Sequence, residues 1–281
     1  MITKFLKNDL YNGIILQWPK FVITVVLFVV LAYIHYLDIE IVNVSAKYNF
    51  TEQPTVGDYF IAFLFGREKY VVSEIPDAFE VPVLWFAIYL WFLFITLSYP
   101  YTDLTGYGKY LIVLSKRRGI WWLSKCIWGI TTSCIYTVIA LLITTITSIF
   151  FGAEPSLRIS SYLPTYLGIN PTLLLSPPWN IKPLLLMFVL ASISLCMMQL
   201  VLSLCIKPLF SYSVMSIYLL VGTYFQSPFL LGNYLMAARS EYFVVDSMYF
   251  LDGVVYSLLC IVGCMIIGYF LFENKDILNK E

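Results

Sequence analysis

Few side chains in this sequence could do covalent or metal chemistry. Histidine occurs once, at His35, so a metalloprotease or a histidine-dependent hydrolase lacks its ligands. Cys126, Cys134, Cys196, Cys205, Cys260 and Cys264 fall inside or at the ends of apolar runs, and none forms a C-x-x-C pair. They read as small apolar packing residues rather than redox or metal groups. Gly106-Tyr107-Gly108-Lys109 is too short for a phosphate loop and lacks the hydroxyl that should follow. The chain is therefore not expected to be an enzyme or to bind a cofactor itself. What remains is amide and hydroxyl chemistry, at Gln199, Gln226, Thr131, Thr132, Ser133, Thr144, Thr145 and Thr147. Gln199 and Gln226 are candidate pathway-lining groups; the hydroxyls more often bond back to helix carbonyls or hold helices together. The densest charge is the basic run Lys116-Arg117-Arg118, followed by Trp121-Trp122. At minimum it is a membrane anchor with an aromatic belt.

The elements that must position these groups are set by composition. Of 281 residues, 60% are hydrophobic and 12% charged. A soluble surface needs roughly twice that charge, so the chain reads as a single all-α integral membrane domain. The formal net charge is zero, which leaves no electrostatic footprint for nucleic acid. A crossing helix needs about 20 apolar residues. The gaps between charged residues predict six, at about 21–37, 81–98, 126–152, 183–206, 209–230 and 253–272, after an interfacial amphipathic segment over 1–20. The first apolar run is expected to stay as an anchor rather than be cleaved as a signal. The uncharged stretch between Arg158 and Lys182 carries Pro164, Pro171, Pro177 and Pro178 and reads as an outer loop hugging the interface, with Trp179 at headgroup depth. With six spans and both termini inside, eleven of the seventeen Lys and Arg residues lie on the inner side, the positive-inside bias. The patch Tyr59–Phe65 and the segment 230–253 read as short interfacial or re-entrant elements. Asn43 and Asn49 head Asn-x-Ser/Thr triplets, read here as chance.

Between the second and third spans lies the one sizeable inner loop, Pro100–Lys125. Its apolar residues Tyr107, Tyr110, Leu111 and Leu114 have helical spacing, which an anchor alone would not need. No charged residue falls inside a span, which disfavours an ion-coupled pump.

This order of features resembles the membrane subunit of an ATP-binding-cassette transporter of the type-2 exporter class, over essentially the whole chain. Local similarity is best at Gly57–Tyr59, Leu114–Lys125 and Gly232–Ser240. The resemblance implies a second permease copy, identical or a sister, and two separate ATPase subunits that carry the ATP and magnesium. It also implies a coupling helix within Pro100–Lys125, with Tyr107, Lys109, Leu111 and Leu114 as contacts and Lys116, Arg117 and Arg118 at the lipid headgroups. It implies a bacterial plasma membrane with both termini cytoplasmic. The apolar, aromatic spans favour an amphipathic or hydrophobic cargo, a peptide first. An immunity or sensor subunit of such a complex, a membrane-embedded lipid-modifying enzyme and an inactive scaffold are the alternatives.

Overall fold

A computed structural model describes residues 2–44, 53–70, 80–115, 118–160, 163, 179–244 and 247–274. The described residues form helices and no strands: α1 (Ile2–Gly13), α2 (Trp18–Val44), α3 (Val56–Leu64), α4 (Val83–Leu97), α5 (Tyr99–Thr105), α6 (Tyr107–Ser115), α7 (Arg118–Phe150), α8 (Lys182–Cys205), α9 (Pro208–Tyr224), α10 (Leu231–Tyr234) and α11 (Phe250–Asn274). Five helical stretches, Ile2–Ile41, Val83–Thr105, Arg118–Phe150, Lys182–Cys205 and Phe250–Asn274, are long and apolar enough to cross a bilayer. They make this a multi-pass membrane protein. The expected span 209–230 is instead the 17-residue α9, about 26 Å at 1.5 Å per residue, at the short limit for a crossing.

Charge gaps mark where apolar character stops, not where helices stop. Asp38 and Glu40 close the first run, yet α2 continues to Val44, with the Tyr36 hydroxyl donating to the Glu40 carboxylate. Likewise Pro100–Lys125 is not a loop. Pro100 cannot donate to the carbonyl four residues back, which interrupts the helix at Ser98 and separates α4 from α5. From there α5, α6 and the first turns of α7 fill the stretch, apart from Lys116 and Arg117, which lie outside the described residues. Asn49 and most of the proline-rich stretch lie outside them too. Trp179, expected at headgroup depth, is buried against Phe243.

Helix α8 is the hub, packed against α4, α7, α9 and α11. Small residues permit the close approach: Gly129 of α7 meets Leu200 and Cys196 of α8, and the Ser194 hydroxyl donates to Ser257 O of α11 at 3.0 Å. Packing of this kind and interhelical hydrogen bonds replace the hydrophobic effect between helices in lipid. Tyr89, Phe92, Tyr136 and Phe188 fill the centre as edge-to-face and tilted rings.

At the bundle end that carries α3, Thr55 and Asp58 form a reciprocal capping box. Asp58 also accepts from Ser160 N at 2.9 Å, which pins α3 to the segment following α7. Burial raises the Asp58 carboxyl, against these hydrogen bonds, which lower it. Within the segment 231–244, too polar to span by sequence, residues 231–239 are buried throughout. The segment is organised around Arg239, which donates to Gly222 O (2.7 Å), Thr223 O (2.6 Å) and Phe225 O (3.2 Å) at the end of α9. Arg239 also donates to Arg67 O, Glu68 O and Asn233 Oδ1. A cation there answers the negative end of a helix dipole. Burial pulls the guanidinium down to about 10, so it stays charged at neutral pH.

Candidate functional site

At the other end of the bundle, α1, α5, α6 and the start of α7 meet around a buried ionic cluster. Asp9 lies on the buried stripe of α1 with Phe5 and Gly13, a four-residue repeat that turns one face inward. Gly13 is seated against Trp128 and Tyr99, which leaves no room for a Cβ. Asp9, Asp103 of α5 and Lys125 of α7 are 1%, 7% and 0% exposed. Lys125 Nζ bonds Asp9 Oδ1 and lies 2.7 Å from Asp103 Oδ2, over the rings of Tyr99 and Trp121.

One ammonium faces two carboxylates, so neutral donors must make up the difference. The Tyr99 hydroxyl and Ser124 Oγ donate to Asp9. Trp121 Nε1 (2.9 Å) and Asn8 Nδ2 (3.2 Å) donate to Asp103. Buried charges survive only when paired and hydrogen-bonded in this way. The cluster is structural chemistry, holding three helices in one register.

Helix α6 is mounted on it. A Cβ at Gly108 would sit 2.1 Å from Asp103 Oδ2, so only glycine lets α6 approach the cluster this closely. Ile112 is buried and Leu111 packs partly against the core. Tyr107, Tyr110, Val113 and Leu114 are 54–64% exposed, an apolar face pointing away from the bundle. Of the four expected contacts, Tyr107 and Leu114 are therefore on the free face, Leu111 is turned inward, and Lys109 is half-buried.

Trp121 and Trp122, expected as an aromatic belt, lie inside the bundle. Trp121 serves Asp103 and stacks on Phe272, and Trp122 Nε1 donates to Met265 O at 2.8 Å. Their N–H groups find partners inside the protein, so the rings are drawn in rather than left at the interface. Arg118 Nη1 donates to Glu273 O at 2.9 Å, tying α7 to the last turn of α11.

Gln199 is buried in α8 and donates to Leu93 O of α4 at 3.0 Å. It ties α8 to α4. Gln226 lies beyond the end of α9 and outside any span. Among the described residues no group of His, Cys, Asp and Glu could hold a metal ion.

Asp9, Asp103 and Lys125 were missed by sequence reasoning. The signal was an acid on the apolar face of an otherwise amphipathic segment, at Asp9.

Over residues 39–278 the sequence matches the model of a protein family of unknown function, DUF2705. The chain belongs to the DUF2705 family. No curated protein matches it, and no solved structure does. The DUF2705 region contains Asp103, α6 and Lys125 but begins after α1, so Asp9 reaches into it from outside.

Proposed function

We propose that the chain is the membrane subunit of an ATP-driven exporter of the ATP-binding-cassette, type-2 class. The observation that carries this reading is α6: a nine-residue helix with an exposed face of Tyr107, Tyr110, Val113 and Leu114, backed by buried Ile112 and a glycine contact to an ionic cluster. A helix that presents apolar side chains while its base is held by buried charges is built to transmit force from a partner. Closure of an ATPase must act through a rigid element with two packing states.

In this reading α6 is the coupling helix, and the end of the bundle bearing it faces the cytoplasm of a bacterium, with both termini. Helix α9 is the sixth crossing. Two such chains pair and share two ATPase subunits, which carry ATP and magnesium; the cargo is amphipathic or hydrophobic, a peptide first.

The test is purification of the tagged chain from native membranes in mild detergent, with identification of what accompanies it. A stoichiometric ATPase that is lost in Tyr107→Asp/Leu114→Asp, with melting of the chain unchanged, is the expected result. A chain that emerges without any ATPase overturns the reading. ATP-dependent uptake of labelled peptide by inverted vesicles then separates export from self-protection.

A further inference from the structure

Helices α2 and α9 both pack on α4 but leave a gap between themselves. Between them runs an open slot of about 410 Å³ lined by Ile23, Leu27, Leu90, Trp91, Phe94 and Tyr212, within the size range of small-molecule pockets. Thr24 Oγ1 accepts from Trp91 Nε1 at 3.0 Å, fixing α2 to α4, and the Trp91 and Phe94 rings are stacked. The walls are therefore built rather than a chance gap between helices.

The end of the slot nearest α1 carries a cation. Lys20 shares a helical stripe with Ile23 and Leu27, and its ammonium lies 5.6 Å from the centre of the Phe94 ring. It does not extend outward along the surface, as a lysine at a helix end ordinarily does. It turns to the opposite wall, 3.3 Å from Ile95 O and 3.5 Å from Ser98 Oγ. Among the described residues no carboxylate lies within ion-pair distance of it. Of the acids of this end, Asp9 and Asp103 are buried and committed to Lys125, and Glu273 of α11 is exposed but outside ion-pair distance of Lys20, while Lys4 and Lys7 of α1 are exposed.

We propose that this slot holds one anionic phospholipid, its phosphate on Lys20 and an acyl chain along Leu27, Leu90 and Trp91. An apolar channel that opens to the bilayer and ends in a fixed, half-buried ammonium at the start of an apolar run matches that molecule part for part. The surplus of positive charge at this end selects an anionic over a zwitterionic headgroup. The site does not depend on the transporter reading, since it needs only that α2 and α4 lie in a bilayer.

The full chain is reconstituted with equimolar phosphatidylglycerol and phosphatidylcholine, re-extracted in mild detergent, and its retained lipids counted by native mass spectrometry. Wild type is expected to retain one phosphatidylglycerol per chain. Lys20→Gln lowers that retention about fivefold and leaves phosphatidylcholine unchanged, and Lys20→Arg restores it. Ala87 of α4 also lines the slot, and Ala87→Phe, which fills it, removes the retained phosphatidylglycerol. Matched melting temperatures show that each variant is folded; if Lys20→Gln melts early, the Lys20→Arg and Ala87→Phe arms decide. Equal lipid ratios in wild type and Lys20→Gln overturn the proposal. So does a wild-type dimer that Ala87→Phe splits while lipid retention is untouched, because the slot would then be covered by a second copy.

Discussion

Lys125 is the residue on which the α1 end of the bundle depends. It is the one ammonium against two buried carboxylates, so removing it leaves uncompensated charge. Lys125→Met should destabilise by about 3–5 kcal/mol, read as a lowered midpoint in thermal melts of the detergent-solubilised chain. Asp103→Asn keeps the shape and removes one negative charge, so its loss should be clearly smaller. If both variants melt like wild type, the ion network contributes nothing to stability. At the opposite end, Thr55→Ala removes half of the capping box of α3 and should cost about 1 kcal/mol, seen as earlier proteolysis within 53–70. None of these roles was visible in residue type alone. A lysine beside a tryptophan pair reads as an interfacial anchor until the acids that meet it are known.

Helix α6 is the element on which the functional proposal stands. Its amphipathic spacing was legible, because Tyr107, Tyr110 and Leu114 recur at helical period. Which residues face outward was not, since that depends on where α5 and α7 lie: Leu111 is turned in and Val113 out. Gly108→Val should be informative here. The added side chain would collide with Asp103, shifting α6 without altering its free face. ATPase co-purification should fall in this variant. Equal recovery with Gly108→Val would show that the mount is irrelevant to partner binding.

For the whole molecule the open quantity is the number of crossings, and α9 decides it. Cys205 is exposed at the end of α8 and Phe229 is exposed just past α9. With the other five cysteines replaced by alanine, Cys205 should be labelled by an impermeant thiol reagent only from the cytoplasmic side. Phe229→Cys, in a background lacking Cys205, should be labelled only from outside. Labelling of both from one side would leave α9 as a non-crossing helix, and the chain with five spans.

The sequence by itself determined the class of the molecule. An 18-residue apolar run has one stable fate in lipid, a helix with its own hydrogen bonds satisfied, and that reading needs no knowledge of neighbours. Hence the apolar cores of α2, α4, α7, α8 and α11 were found, with ends misplaced wherever a charge closed the run before the helix ended. The tertiary structure decided the rest. The pairing of Asp9 with Lys125 joins residues more than a hundred positions apart, and Arg239 serves carbonyls of α9 and of residues 67–68. The slot beneath Lys20 exists only because α2 and α9 pack on α4 without closing on each other. Burial, charge neutralisation and cavity shape are sums over many long-range contacts. No local pattern of residues encodes them.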